Sequence, residues 1–255
     1  MPRYRLDVEY DGRPFVGWQR QKNGLGVQQV LEEAVAGFAP QDSITVQASG
    51  RTDAGVHASG MVAHVDIVRD DMAPDRIQGA LNHFIRPHPV AVLAVSPVAP
   101  DWHARFSCRK RHYLYRIITR RAPLTFDQGL AWRVPQDLNV AAMHEAAQAL
   151  VGQHDFTTFR HVACQADSPV KTLDYLDVSR RGDEVLVRTG ARSFLHHQVR
   201  SMVGTLALVG RGQWPVSAVA KALAARDRGA LGFNAPPDGL YFLKADYPAD
   251  MPTSG

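Results

Sequence analysis

The chain has 255 residues, 45% apolar and 21% charged, which is typical of a globular protein with one large domain or two subdomains. No apolar run approaches the roughly 20 residues of a membrane-spanning helix, and the first residues enter a strand pattern at once, so we expect no signal peptide and no membrane association. Two cysteines, Cys108 and Cys164, are too few for a disulfide framework or a cysteine-rich zinc site, which favours a reducing, cytoplasmic location.

The N-terminal part of the chain alternates strand and helix patterns. Apolar side chains recur at every second position from Tyr4 to Tyr10, which predicts a half-buried strand. Apolar periodicity then predicts, in chain order, a helix over 27–38, strands over 44–48 and 61–67, a helix after Pro74 and a strand over 90–95. The predicted order is strand, helix, strand, strand, helix, strand.

The rest of the chain is predicted to repeat this architecture without a repeat at the residue level. The predicted elements are a strand over 111–119, a helix over 139–151, a hairpin of strands 173–179 and 184–189, helices over 197–209 and 217–226, and a strand over 240–245. Two split βαβ (ferredoxin-like) halves, 1–104 and 105–255, predict an α+β fold with a mainly antiparallel sheet and helices on one side. A cleft where the halves meet is the expected place for an active site.

One loop between two predicted strands carries a single carboxylate. Its sequence is Gly50-Arg51-Thr52-Asp53-Ala54-Gly55-Val56-His57-Ala58. Its glycines permit positive φ or a close backbone approach. Asp followed by Ala-Gly is also ordinary turn chemistry, so these residue types alone predict a structural turn, and only the complete string predicts catalysis.

Positive charge is concentrated in one segment. The net charge is +4, but residues 105–121 contain seven Lys or Arg residues and no acid, together with Tyr113 and Tyr115. A basic stretch with interleaved aromatic side chains is typical of a surface that contacts phosphates and bases. We therefore expect a nucleic-acid partner, whose type the charge alone leaves open.

The complete string resembles the signature of the TruA family of tRNA pseudouridine synthases. Further matches follow in the family's order over nearly the whole chain: Glu9-Tyr10-Asp11-Gly12, Gly17-Trp18-Gln19-Arg20-Gln21, His103-Ala104-Arg105-Phe106-Ser107, Phe194-Leu195-His196-His197-Gln198-Val199-Arg200 with Gly204, and Gly239-Leu240-Tyr241. Such ordered matches are far more specific than a lone glycine motif. On these residues the chain is identified as a member of that family.

The resemblance implies the pseudouridine synthase fold, a homodimer, and a tRNA substrate modified in its anticodon stem-loop at uridines 38, 39 and 40. The reaction detaches uracil from C1′ of the ribose, turns it and rejoins it through C5, so the product is an isomer. No redox cofactor, small-molecule cofactor or metal is formally needed, and the sequence lacks a phosphate-binding loop and a metal-ligand helix motif. We expect no cofactor and no metal.

The resemblance also implies which residues carry the reaction. Asp53 matches the catalytic aspartate, and it can either attack C1′ or remove a ribose proton to give a glycal; both routes stay open. Arg200 matches the arginine that pairs with this aspartate and opposes the rise in its pKa on desolvation. Tyr113 matches the tyrosine that stacks on the target base and helps to remove the C5 proton, although an aromatic residue in a strand is usually core packing.

A further set of residues is expected to contact the substrate. Arg51 matches the arginine that fills the space left by the flipped-out uridine. Leu240 is expected to form part of an apolar wall for uracil. The candidate RNA-binding residues lie at the start of the basic segment: Arg105, Arg109, Lys110 and Arg111.

Two other classes of function compete with the isomerase. A glycoside hydrolase also breaks a bond at an anomeric carbon, but it usually needs two carboxylates, and the loop holds only Asp53. A catalytically silent RNA-binding module would need only the basic segment, and it has no use for Asp53, Tyr113 and Arg200 together. The histidines are interpreted as core or RNA-facing residues, because none stands at metal-ligand spacing from an acid or cysteine: His57, His83, His88, His196 and His197.

Overall fold

The structure, a computed structural model, describes residues 1–69 and 71–248. The chain divides into two compact units: unit 1 comprises Met1–Arg111 and the chain from Phe242 onward, and unit 2 comprises His112–Tyr241. The last residues of the predicted half 105–255, namely 249–255, lie outside the described residues. In the ranges that are described, no helix is both long and apolar enough to cross a membrane.

Unit 1 has the predicted order of elements. They are β1 (Arg3–Tyr10), α1 (Val27–Phe38), β2 (Gln47–Ala48), β3 (His57–Asp66), α2 (Pro74–Phe84) and β4 (Val90–Val98). β1 pairs antiparallel with β3 and with β4, and β2 pairs antiparallel with β3. The strand order is β4-β1-β3-β10, in which β10 (Leu240–Asp246) comes from the far end of the chain.

The core of unit 1 follows from the two periodicities read in the sequence. Leu6 and Val8 of β1 are fully buried, as are Val27 and Leu31 of α1. Each such aliphatic side chain contributes about 1.5–3 kcal/mol when it leaves water. The predictions of β1, α1 and α2 are confirmed.

Two strands of unit 1 differ from their predicted bounds. The strand predicted over 44–48 is reduced to β2, since the backbone N–H of Val46 donates to Glu32 Oε1 on α1 (3.2 Å) instead of to a neighbouring strand. β3 begins at His57 rather than at Met61. Its first residues include Ala58 and Gly60, which are residue types depleted in strands, and pairing with β1, where Tyr10 faces Ala58, imposes the extended conformation on them.

Unit 2 contains a second, mostly antiparallel set of strands. Its elements are β5 (Lys110–Thr119), β6 (Trp132–Val134), α3 (Val140–Gln148), β7 (Gly152–Asp155), β8 (Val170–Arg181), β9 (Glu184–Ala191), α4 (Gln198–Gly210) and α5 (Ser217–Ala225). The strand order is β5-β9-β8-β7, with β6 parallel to β5. The predicted hairpin is β8–β9, and all three predicted helices are present. β6 and β7 were not predicted, because so few residues carry no measurable periodicity.

α4 is the most deeply buried helix of unit 2. All of its residues except Arg200 and Leu208 are buried. A helix that is apolar or small on nearly every side lies in the interior, so the half-buried arginine on it is an exception that calls for a polar partner. The chain is thus an α+β protein with a mainly antiparallel sheet, as predicted.

Candidate active site

The predicted site residues are distributed over both units. Asp53 and Arg51 belong to unit 1, whereas Tyr113, Arg200 and Leu240 belong to unit 2.

The signature loop, residues 50–58, is fastened to the loop that follows β1. The backbone N–H of Trp18 donates to the carbonyl of Thr52 (3.1 Å), and the N–H of Gly55 donates to the carbonyl of Phe15 (3.3 Å). Backbone bonds on both sides of position 53 hold the loop without using any side chain that the reaction would need.

Asp53 is half-buried at the turn of this loop, and its carbonyl accepts a hydrogen bond from the N–H of Val56 (3.1 Å). The neighbouring Thr52 is buried, and its hydroxyl lies 2.8 Å from the hydroxyl of Tyr10 at the end of β1. Arg51 is exposed. The loop therefore buries the residue before Asp53 and presents Arg51 to the outside.

Two glycines of the opening motif allow this close packing. Gly17 has φ +112°, and a Cβ there would lie 2.6 Å from the carbonyl oxygen of Thr52. A Cβ on Gly12 would lie 2.2 Å from the carbonyl oxygen of Val56. Both distances are too short for any larger residue, so these glycines form the base on which the signature loop lies. Both glycines lie in motifs that matched the family, but the motif match did not predict that they pack against the signature loop.

Arg111 reaches the start of the signature loop from the basic segment. Its Nε and Nη2 donate to the carbonyl oxygen of Ser49 (2.9 and 2.7 Å), and Nη2 also donates to the carbonyl oxygen of Arg105 (2.7 Å). Ser49 is buried and directly precedes the loop. The guanidinium fork thus fixes where the loop begins, a role that spacing in the sequence does not reveal.

Tyr113 lies buried on β5, with its ring edge-on to Phe194 at a centroid distance of 5.0 Å and an interplanar angle of 85°. This edge-to-face arrangement is the favoured one for aromatic pairs and restricts how the Tyr113 ring can turn. Tyr115, two residues on, is fully buried, and its hydroxyl donates to the carbonyl of Pro236 (2.7 Å). Burial raises the pKa of the Tyr115 phenol well above its usual value, so Tyr115 is a core residue and Tyr113 the better candidate for chemistry.

Arg200 is held by a reciprocal pair of bonds. Its Nε donates to the carbonyl of Ala235 (2.8 Å), and the N–H of Ala235 donates to the carbonyl of Arg200 (3.0 Å). Because Nε is used in this way, the plane of the guanidinium is fixed relative to α4. Leu240 is buried at the first position of β10.

The basic segment divides into exposed and internally paired residues. Arg105 and Arg109 are exposed, and Lys110 is half-buried. Arg116, by contrast, lies 2.6 Å from Glu184 and 2.9 Å from Asp127. Acids distant in sequence therefore neutralise part of the positive charge.

The comparisons with known proteins agree with these observations. A family profile described as tRNA pseudouridine synthase matches residues 8–107 and 146–248. The tRNA pseudouridine synthase A of Rhizorhabdus wittichii is 62% identical over 98% of this chain and 98% of that protein. The proteins of the same name from Rhodospirillum centenum and Zymomonas mobilis are 61% and 59% identical over 97% of this chain and their full lengths. The chain belongs to the tRNA pseudouridine synthase family, a class of isomerases.

Proposed function

We propose that the protein converts uridine to pseudouridine at positions 38, 39 and 40 of the tRNA anticodon stem-loop, acting as a cytoplasmic homodimer. The observation that carries the proposal is Asp53, half-buried on a loop whose backbone is bonded to Trp18 and Phe15 and whose start is fixed by Arg111 at Ser49. A carboxylate fixed in this way is suited to approach one atom of a bound nucleotide.

The proposed reaction starts from ionised Asp53 and a uridine extruded from the RNA stack. The carboxylate either attacks C1′, so that uracil leaves with the N1–C1′ electron pair, or removes a ribose proton to give a glycal. The uracil then turns and its C5 bonds to C1′. In the first route the ester bond to Asp53 breaks at this step, and in the second route Asp53 returns the proton to the ribose. Loss of the C5 proton and protonation of N1 complete an isomer, so no atom is gained or lost.

Three side chains support this chemistry in the proposal. Arg200 keeps Asp53 ionised when the base displaces water, because a nearby cation opposes the rise in pKa that desolvation causes. Tyr113 stacks on the uracil and takes part in removal of the C5 proton; its restraint by Phe194 supports this role. Leu240 provides apolar contact with the base, in keeping with its burial.

RNA contacts are proposed for the exposed arginines. Arg51 occupies the space vacated by the flipped nucleotide, which its exposure on the loop permits. Arg105, Arg109 and Lys110 contact phosphates, and Arg111 adds charge there while it holds Ser49.

The test uses purified full-length protein and unmodified tRNA that carries uridines at positions 38 to 40. Carbodiimide mapping of the product should place pseudouridine at these positions. Asp53→Asn should bind tRNA with unchanged affinity and lose turnover by at least about 10³-fold, because an amide can neither attack C1′ nor accept the proton.

Other results would assign a different function. Release of free uracil would identify a glycoside-cleaving hydrolase, and tRNA binding without any product would identify an RNA-binding module. Activity retained by Asp53→Asn would refute the role of Asp53. A monomeric mass in light scattering would contradict the homodimer.

A further inference from the structure

Three histidines that are distant in sequence meet in unit 2, and we refer to His161, His196 and His197 as the histidine cluster. One potential metal-ligating nitrogen from each lies within 4.8 Å of the others. The ring centroids are 4.7 Å (His161–His196), 4.4 Å (His161–His197) and 4.3 Å (His196–His197) apart. The fold thus assembles a group that the sequence spacing did not predict.

Backbone bonds hold the two chain segments of the cluster together. The N–H of His161 donates to the carbonyl of His196 (3.0 Å), and the N–H of Cys164 donates to the carbonyl of His161 (3.0 Å). Arg160 closes the same turn, with Nη2 donating to the carbonyls of Cys164 and Ala166 (2.8 Å each). The scaffold of the cluster is therefore built mainly by bonds to main-chain atoms, and only the His161 ring takes part in it, through the N–H of Ala163.

A thiol lies against the backbone of the cluster, although its sulfur is not among the atoms that lie within 4.8 Å of one another. Cys164 Sγ accepts a hydrogen bond from the N–H of His196 at 3.4 Å, and Cys164 is a free, half-buried cysteine. Three imidazoles and one thiolate are the types of donor that zinc takes in tetrahedral sites. Softer or harder cations are less suited, because the group contains no carboxylate and no second sulfur.

We propose that the histidine cluster and Cys164 bind a divalent transition-metal ion of the zinc class. Tetrahedral coordination at about 2.0–2.1 Å requires ligand nitrogens about 3.4 Å apart. Side-chain rotations that draw the rings inward by about an ångström bring the three nitrogens to this spacing, and a rotation of the Cys164 side chain is needed to bring Sγ in as the fourth ligand. His161 Nδ1 accepts a hydrogen bond from the N–H of Ala163 (3.2 Å). Binding through its Nε2 moves the ring proton to Nδ1 and exchanges this hydrogen bond for the metal bond.

The ion would tie the turn 160–164 to the beginning of α4, since His197 is the residue that precedes this helix. It is a structural site, and isomerisation of uridine has no step that needs it. The proposal does not depend on the proposed function, and each can fail without the other.

The experiment uses full-length protein expressed without a histidine tag, stripped with a chelator and titrated with Zn²⁺ in a calorimeter. We expect one ion per chain, a higher midpoint of thermal unfolding when Zn²⁺ is present, and at least about a tenfold loss of affinity in His161→Ala and in His197→Ala. His83→Ala is the matched control, because His83 is exposed on α2 and outside the cluster. Absence of stoichiometric binding, or equal affinity in His161→Ala and the control, would overturn the proposal.

Cobalt separates the role of the thiol from a general loss of folding. Co²⁺-loaded protein should show a thiolate-to-cobalt charge-transfer band that Cys164→Ser loses while it retains the d–d bands of the histidine-bound ion. Circular dichroism of the metal-free variants checks that each remains folded. If the wild-type protein binds Co²⁺ without this band, Cys164 is not a ligand and that part of the assignment is wrong.

Discussion

Arg111 binds two backbone carbonyls at once, and this makes it a positioning residue for the signature loop. Its Nε and Nη2 hold the oxygens of Ser49 and Arg105. The planar guanidinium suits this geometry, whereas the single ammonium group of lysine has the charge but not the fork. A lysine at position 111 would therefore keep the positive charge and lose the bonds that hold the loop in place.

We predict that Arg111→Lys lowers kcat about tenfold and leaves KM for tRNA within about twofold, since the loop start loosens while the positive charge is kept. Steady-state kinetics on unmodified tRNA measure both constants. Arg109→Lys is the matched control at an exposed position and should change neither. A rise in KM with unchanged kcat would show that Arg111 acts as an RNA contact only.

Phe194 restrains Tyr113 through the T-shaped contact between their rings. Phe194→Leu keeps an apolar side chain and removes the aromatic contact, which is worth about 0.5–1.5 kcal/mol. We predict a three- to tenfold lower kcat (about that energy converted to a rate) with a native circular dichroism spectrum. Unchanged kcat would mean that the orientation of Tyr113 does not depend on Phe194.

Among single residues, Asp53 was predicted as the catalytic aspartate because the contiguous string around it, residues 50–58, is specific for the family. The hydrogen bonds that hold the signature loop could not be predicted from the sequence. Ser49 and Arg111 are 62 positions apart, and hydrogen bonds between such residues depend on the folded path of the chain, which residue types alone do not specify.

Among the elements, the loop after β1 acts as the base of the signature loop, and Gly17 is the residue of that loop with a positive φ. We predict that Gly17→Ala costs about 1–3 kcal/mol of unfolding free energy and lowers kcat, because both the backbone angle and the contact with Thr52 become unfavourable. Urea unfolding and kinetics measure the two effects.

Gly79 is the matched control for this substitution. It lies within α2, and a Cβ there would meet nothing within 4 Å. Gly79→Ala should raise stability by about 0.5–1 kcal/mol, since alanine loses less backbone entropy in a helix. A loss of stability at Gly79 as large as that at Gly17 would contradict the argument from contact and φ.

β3 carries a buried histidine, His64, that lowers the free energy of unfolding at acidic pH. Burial, then the charges of His103 and Arg3, lower its pKa from 6.5 to about 4, while Asp66 acts in the opposite direction. The unfolded chain binds this proton more tightly than the folded one. Stability from neutral His64 is thus fully present above pH 6.5 and is lost as the pH falls toward 4.

We predict that His64→Asn, which keeps an acceptor for the N–H of Ala104, reduces the loss of unfolding free energy between pH 7 and pH 4.5 by about 2–3 kcal/mol. Urea unfolding at both pH values measures this difference. His83→Asn, at an exposed position of α2, should leave the loss unchanged. Equal losses in wild type and His64→Asn would contradict the prediction.

Helices and strands could be predicted where the apolar periodicity extends over at least two helical turns or over several strand residues. α1 and α2 follow the apolar spacing within the sequence bounds, and β8–β9 follows its turn at Gly182. The strand predicted over 44–48 was wrong for most of its length, because Glu32 of α1 takes the N–H of Val46. A tertiary contact overrides local propensity there.

For the whole molecule, the basic segment is less positive than its sequence indicates. Arg116 bonds to Glu184 and Asp127; burial lowers its pKa, but these acids raise it by more, so the net pKa lies above the usual value. Its charge is compensated inside unit 2. Attraction of a polyanion must then come from the exposed members, which are Arg105, Arg109 and Arg121.

This division predicts how tRNA binding responds to salt. Each phosphate contact releases about one counterion, so Arg105→Gln and Arg109→Gln should each weaken binding at low salt and reduce the slope of log Kd against log salt concentration by about one. Filter binding of tRNA over a salt series measures the slope. Arg76→Gln makes the same change of charge at an exposed position of α2 and should leave the slope unchanged, since net charge by itself contributes no counterion release at a phosphate contact. If all three variants lower the slope equally, the tRNA responds to total charge, and the basic segment is not its binding surface.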